Sequence, residues 1–246
     1  MALKAAPEDQ ALLLELQALD TRLQQLGHRA STLPELATIA ALSTDRESLR
    51  TAVAEQSGAW EDAQLELKRT EADVAVVEAR VSRDKDRLQA SASVKDVAAH
   101  EQELAALAKR QSDLEDIELA VMENVEDRAA ALAAGRAALA ELENRIAEAS
   151  ASRDTALAEL EHDRQRATVA RAELAGRLPE QLLALYDKQR SRYGIGASHL
   201  RGGVSSASGV ALNSSDMVTV RAAAPDDVLL CPDSNAILVR TNESGL

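Results

Sequence analysis

Aromatic residues are nearly absent from this 246-residue chain: they make up 1% of it, as one Trp and two Tyr with no Phe. Compact globular proteins draw much of their buried core area from aromatic side chains, so this composition argues against a large globular core. The chain is instead rich in Ala, Leu, Glu and Arg. That composition is typical of long helices and coiled coils.

Cysteine and long apolar runs are also scarce. The single cysteine excludes an intrachain disulfide framework, and no apolar run approaches the roughly 18 residues of a membrane span. The first seven residues lack the apolar segment of a secretion signal. We therefore expect a cytoplasmic protein with no membrane association. The formal net charge of −13 disfavours binding of nucleic acid or anionic lipid through the bulk surface.

Apolar spacing and proline placement predict three long helices. In the first, from Pro7 to about residue 30, leucines recur at the 4-3 spacing of a coiled-coil seam. Pro34 begins the second helix, because proline suits the first turn, and that helix reaches about residue 90. After a break at 91–95 the third helix extends from about 94 to 177. Three polar residues interrupt the apolar seam of the second helix: Gln56, Thr70 and Asp84.

The predicted lengths favour an antiparallel coiled-coil hairpin over residues 7–178, with its tip at 91–95. At 1.5 Å per residue the third helix is on the order of 125 Å long, which matches the first two helices combined. A hairpin that turns near Ser93 lets every seam find a partner within one chain. A parallel homodimer of straight helices leaves the break at 91–95 unexplained. We therefore expect a monomer or a weak homodimer.

The last third of the chain has a different pattern. Pro179 ends the third helix, and residues 179–203 are interpreted as a neck helix and a Gly-rich linker. Residues 204–246 are predicted to form a small β-rich module whose strands contain Met217–Val220, Val228–Leu230 and Ala236–Val239. A module of this size usually needs a metal or a disulfide to hold it.

This module carries the outline of two C-x-x-C knuckles with most thiols replaced. The outline is Ser205-Ser-Ala-Ser208, 22 further residues, and then Cys231-Pro-Asp-Ser234. Four cysteines at these positions would form a four-thiolate zinc site. Only Cys231 is present, and a neutral serine hydroxyl is a poor zinc ligand. No intact metal site and no cofactor are therefore expected.

Together these segments resemble a known family. The resemblance is carried by Leu178-Pro-Glu-Gln-Leu-Leu-Ala-Leu-Tyr186, by Gly194-Ile-Gly196, by the four knuckle positions, and by Ile237-Leu-Val-Arg240 with the tail to Leu246. The chain is similar to bacterial proteins, above all the actinobacterial members, that have an N-terminal coiled-coil hairpin and a C-terminal C4-type zinc ribbon. The resemblance implies a mainly α fold with a zinc-ribbon-like module whose zinc ligands are largely lost. It extends to the hairpin tip, where Lys95 and Asp96 are compatible with the family's helix start. Ser93, a candidate cap for the third helix, completes the predicted tip site.

No pattern points to catalysis. The four histidines are scattered, and none has a carboxylate or thiol at a convincing ligand spacing. The carboxylates suit the solvated face of a coiled coil. We therefore expect a non-enzymatic adaptor or chaperone-like protein that docks protein partners, as yet unknown, through the hairpin and the ribbon-like head.

The alternative is an RNA- or DNA-binding protein that acts through the neck and the head. A cluster of cationic and aromatic residues would make the contacts: Lys188, Arg190, Arg192, Tyr193 and Arg201. The simpler interpretation is that these cations stabilise a helix C-terminus, where positive charge complements the helix dipole.

Overall fold

The computed structural model describes residues 3–246, so Met1 and Ala2 of the N-terminal segment considered above lie outside it. The chain is 77% helical, with a long helical hairpin and a small C-terminal sheet, which confirms the predicted fold class. The helices are α1 (Pro7–Ser31), α2 (Pro34–Ala90), α3 (Val94–Ala175), α4 (Glu180–Tyr193) and α5 (Ser214–Ala222). The strands are β1 (Ala197–Arg201), β2 (Val204–Ser205), β3 (Leu229–Leu230) and β4 (Ile237–Val239). In the described residues, no helix is both long enough and apolar enough to cross a membrane.

The chain divides into two compact units. The hairpin unit comprises Glu35–Ala151, and the head unit combines residues up to Pro34 with Ser152–Leu246. Helix α3 contributes residues to both units.

In the hairpin unit, α2 and α3 pack as antiparallel partners along the predicted seam. Arg80 of α2 pairs with Glu103 of α3, while Gln56, far from the tip on α2, lies beside Gly135 of α3. The buried apolar residues of this seam are Leu42, Ala63, Leu114, Val121, Leu132 and Leu142. Two of the three predicted polar seam positions, Thr70 and Asp84, are also buried.

The head unit contains a four-stranded sheet in the order β2-β1-β4-β3. Strands β1 and β4 are parallel, and the other two pairs are antiparallel. The predicted module boundary at residue 204 is wrong, because β1 lies within the segment interpreted as a Gly-rich linker. The glycines at positions 196, 202 and 203 flank β1 rather than interrupt it, so they mark the ends of a strand instead of a flexible connection.

The prediction of a strand at Met217–Val220 is also wrong, since these residues belong to α5. Asn213 caps this helix: its side-chain oxygen accepts a hydrogen bond from the Asp216 N–H at 2.9 Å. The cap satisfies an otherwise unpaired backbone donor and stabilises the first turn. It therefore outweighs the weak, context-dependent β preference of the valines.

Two apolar clusters hold the head unit together. The larger one joins α1, the end of α3, α4 and the sheet through residues that include Leu13, Leu16, Leu174, Leu182, Tyr186, Ile237 and Val239. The smaller one consists of Leu200, Leu212, Val220, Cys231 and Leu238. Gly196 is required for this packing, because a Cβ there would lie 2.5 Å from the Tyr186 ring.

Arg240, directly after β4, fastens the segment that follows α5. Its guanidinium donates hydrogen bonds to main-chain carbonyl oxygens, including those of Ala223 at 3.0 Å, Ala224 at 2.6 Å and Asp227 at 2.8 Å. The planar guanidinium carries five N–H donors in a fixed geometry. A single side chain can therefore anchor several turns of irregular backbone.

Candidate functional sites

Three of the four predicted knuckle positions meet in the head unit. Cys231 and Ser205 are fully buried, and the hydroxyl groups of Ser205 and Ser234 both form hydrogen bonds with the Cys231 thiol. The Ser208 hydroxyl accepts a hydrogen bond from the Val210 N–H at 3.3 Å. We call Ser205, Cys231 and Ser234 the serine–cysteine cluster.

The cluster has the hydrogen-bonding pattern of a polar network. The Ser205 hydroxyl also bonds that of Ser198 at 2.7 Å. Burial alone would raise the pKa of the Cys231 thiol, but hydrogen bonds from Ser205, from Ser234 and from the backbone outweigh it and lower the pKa below its ordinary value. One thiol among hydroxyls fits zinc poorly, since structural zinc sites use thiolate or imidazole at all four positions.

The candidate nucleic-acid-binding residues of the neck and head differ in whether they already interact with other side chains. Arg190 forms an ion pair with the buried Asp20 at 3.2 Å, and Arg201 pairs with Glu243 at 2.7 Å. The Arg192 guanidinium lies 5.4 Å from the centre of the Tyr193 ring, and Lys188 is exposed. Exposed cationic and aromatic surface is therefore concentrated at the end of α4.

Sequence reasoning missed the polar centre of the head unit, which is built on Asp20 of α1. Its carboxylate is almost fully buried, with 2% of the residue exposed. It accepts hydrogen bonds from Arg171 Nε at 2.7 Å and from the Tyr186 hydroxyl at 2.8 Å. The sequence signal is that Asp20 lies four residues after the buried Leu16, which places it on the same face of α1.

Tyr186 is held as a neutral hydrogen-bond donor in this centre. Burial raises the pKa of its hydroxyl well above the ordinary value, and the hydrogen bond to Asp20 raises it further. The Gly196 N–H donates to Gln17 Oε1 at 2.7 Å beside the same ring. These contacts position the neck helix α4 on α1 and β1.

The predicted tip residues are all accessible to solvent. Ser93, Lys95 and Asp96 are exposed, and Val94 beside them exposes 87% of its surface. The Ser93 carbonyl accepts the Val97 N–H at 3.0 Å and so starts the first turn of α3. The tip is thus a short, accessible connection followed at once by regular helix.

A strongly acidic segment lies in the hairpin-unit part of α3. Residues 111–127 contain seven carboxylates and no Lys or Arg. Two large apolar side chains on one face of this segment are exposed, Leu119 at 61% and Met122 at 42%. Residues four positions away on a helix are neighbours, so Glu115, Glu123 and Glu126 flank this pair. We call these five residues the acidic–apolar strip.

A second group that sequence reasoning missed lies near the tip. Asp84 of α2 comes together with His100 and Glu103 of α3, with one ligand atom from each within 4.8 Å of the others. The expectation that the histidines are scattered without carboxylate partners is therefore wrong for His100. The sequence signals for this group were the three-residue spacing between His100 and Glu103 and the polar residue Asp84 in the apolar seam of α2.

The family of this chain follows from its sequence. Residues 16–194 match the CT398-like coiled coil hairpin domain, a range that spans α2, α3, α4 and most of α1. The chain belongs to this family.

Relatives and solved structures agree with that assignment. The chain is 34% identical over 239 residues to an uncharacterized protein of Mycobacterium tuberculosis, Rv2229c, and the match covers 97% of this chain and 98% of the relative. A solved structure from Mycobacterium smegmatis superposes with a TM-score of 0.85 at 32% identity, covering 97% of this chain and all of the other. The CT398 structure from Chlamydia trachomatis has the same fold, with a TM-score of 0.63 at 17% identity, and covers 94% of this chain and 97% of its own.

Proposed function

We propose that this chain is a non-enzymatic adaptor or chaperone-like protein of the cytoplasm. It docks protein partners through its helical hairpin and its head, and it acts as a monomer or a weak homodimer. The observation that carries the proposal is the acidic–apolar strip of α3. The strip offers apolar contact area between carboxylates on the surface of a regular helix.

The chemistry of the strip defines the partner that it fits. Full burial of a Leu or Met side chain is worth about 1.5–3 kcal/mol. Covering the exposed parts of Leu119 and Met122 should therefore contribute about 1.5–3 kcal/mol by the same measure. The flanking carboxylates select a basic partner through complementary charge. An amphipathic helix with Lys or Arg beside its apolar face satisfies both requirements.

Site-specific crosslinking in the native host tests this proposal. A photoreactive amino acid replaces Leu119 in the full chain, and a matched control replaces Val169, which lies on the same helix in the head unit and is 58% exposed. We expect a discrete protein adduct at position 119 that survives nuclease treatment and is absent at position 169. Identical adducts at both positions, or none at 119, would contradict docking at the strip.

Charge reversal then tests the predicted partner chemistry. Glu115→Lys with Glu123→Lys should weaken binding of the captured partner at least tenfold, which corresponds to about 1.4 kcal/mol. The matched control reverses two carboxylates of α3 outside the strip, Glu141→Lys with Glu148→Lys. If the control weakens binding equally, the effect is one of net charge and the strip is not the docking site.

Nucleic-acid binding is the second candidate, favoured by the exposed Lys188, Arg192 and Tyr193 at the end of α4. Binding through phosphate contacts falls steeply as salt rises. If the chain binds single-stranded RNA, Lys188→Ala with Arg192→Ala should abolish that binding. Titration at low and physiological salt measures this, and binding that the double variant retains would exclude the neck as the contact surface.

We also propose that the head is a zinc ribbon that has lost its metal. The proximity of Ser205 and Ser234 to Cys231 supports this interpretation. Changing Ser205, Ser208 and Ser234 to Cys should restore a four-thiolate site, so that zinc raises the melting temperature of the head. An unchanged melting temperature with stoichiometric zinc present would mean that the fold has moved away from ribbon geometry.

A further inference from the structure

We propose that Asp84, His100 and Glu103 form a binding site for one Zn²⁺ ion that links α2 to α3 beside the hairpin tip. This site is separate from the serine–cysteine cluster and from the acidic–apolar strip. The proposal does not depend on the adaptor function.

The geometry supplies three suitable donor atoms from two helices. One ligand atom from each residue lies within 4.8 Å of the other two. Zinc–ligand bonds are about 2.0–2.2 Å for imidazole nitrogen and carboxylate oxygen, so two ligands of one tetrahedral ion lie about 3.3–3.6 Å apart by those lengths. Small side-chain rotations that draw the three atoms together by at most about 1.5 Å would therefore complete the site. His100 and Glu103 are three residues apart on α3, which places both on one face of the helix.

The state of the Asp84 carboxylate is an independent indication of a ligand. Only 2% of Asp84 is exposed, yet its Oδ2 atom has no hydrogen-bond partner. The other oxygen, Oδ1, accepts a hydrogen bond from Arg87 at 3.2 Å. A buried carboxylate oxygen without a hydrogen bond is costly. Coordination of a cation would remove that cost.

The position of Arg80 shows where a cation fits. Its Nε atom lies 3.9 Å from Asp84 Oδ2, beyond hydrogen-bond distance, while its terminal nitrogen pairs with Glu103. Asp84 Oδ2 and Glu103 thus share one electropositive group. The Arg80 side chain is 58% exposed, so it can turn into solvent when a metal ion takes its place.

The donor set selects the metal. Imidazole favours zinc and later transition metals over Mg²⁺ and Ca²⁺, which prefer oxygen ligands only. Three protein ligands leave a fourth tetrahedral position for water, as in open zinc sites. Because the ligands come from both α2 and α3, the bound ion would fasten the two helices directly beside the exposed tip.

Zinc titration of the chelator-treated full chain tests the site. Isothermal titration calorimetry with Zn²⁺ should give one site per chain, and Mg²⁺ should give none. His100→Ala and Glu103→Gln should each weaken zinc binding at least tenfold. Circular dichroism verifies that these half-buried variants keep their helix content. Arg80→Gln should strengthen binding, because it removes the competing cation.

Control variants separate this site from other zinc ligands. His162→Ala removes an exposed histidine from the same helix and should leave binding unchanged, as should Cys231→Ser in the head. The proposal is overturned if the chain does not bind zinc, if His100→Ala binds as tightly as the parent, or if Cys231→Ser abolishes the binding. Weaker binding by Arg80→Gln would likewise contradict the predicted geometry.

Discussion

The buried carboxylate of Asp20 provides the strongest test of how the head unit is held together. Asp20→Asn keeps the volume of the side chain and removes its charge. Arg171 and Arg190 then lose their shared counter-ion, and the Tyr186 hydroxyl loses its anionic acceptor. Breaking a buried ion pair by removal of one partner costs about 3–5 kcal/mol.

Two features of the structure reduce the loss in the free energy of unfolding that we expect for Asp20→Asn. The side chains of Arg171 and Arg190 are 23% and 37% exposed, so both can recover some hydration. Arg171 also keeps Asp187 at 2.9 Å. We therefore expect a loss of about 2–3 kcal/mol in the free energy of unfolding.

Urea unfolding followed by circular dichroism measures the loss, and hydrogen exchange locates it. Protection should fall in α4, which Asp20 anchors through Tyr186 and Arg190. The matched control is Asp163→Asn, because Asp163 also bridges two arginines, Arg22 and Arg166, but at the surface. Surface ion pairs contribute little, so the control should destabilise far less. Equal losses in the two variants would refute the argument that burial of Asp20 determines its contribution.

Three further predictions concern the same unit. Gly196→Ala should cost about 1–3 kcal/mol by overpacking against the Tyr186 ring, measured by urea unfolding. Arg240→Lys should cost about 2 kcal/mol, because one ammonium cannot replace several guanidinium bonds worth about 1 kcal/mol each. Its melting temperature should fall below that of Arg221→Lys, a control on the exposed surface of α5. The raised pKa of Tyr186 predicts a stability term that is fully present below pH 10.0 and is lost as the pH rises through the raised value. The stability advantage of the parent over Tyr186→Phe should therefore shrink above pH 10, and an advantage independent of pH would contradict it.

The long helices could be predicted from sequence because their signals are local and repeated. Proline at positions 7 and 34 predicted the starts of α1 and α2, and the small polar residues from Ser91 predicted the end of α2, as the structure has them. The sheet was harder, since its strands have only two to five residues. Strand β1 pairs with β4, about 40 residues later, and no local pattern reports a partner so distant.

The candidate sites also differ in how far the sequence alone could predict them. Ser205, Cys231 and Ser234 lie together in the structure, and their origin as zinc-ligand positions stays a prediction from the knuckle spacing. Asp20 and Asp84 needed more than a motif, since each is a single acidic residue in a mainly apolar helix seam. The side chains that meet Asp20, and His100 and Glu103 beside Asp84, come from other helices. Only the three-dimensional structure reveals that Asp20 is paired with Arg171 and Arg190 and that Asp84 lies beside His100.

These two aspartates illustrate opposite solutions to the cost of a buried charge. Asp20 accepts hydrogen bonds from Arg171 and Tyr186 and forms an ion pair with Arg190, and this satisfied network joins α1 to α3 and α4 within the head unit. Asp84 has one good hydrogen bond from Arg87 and a second oxygen without one. A satisfied network specifies a single packing arrangement, whereas a partly satisfied one favours any state that supplies the missing partner. The head unit is therefore expected to be rigid without metal, and the region beside the hairpin tip is where ion binding should change stability.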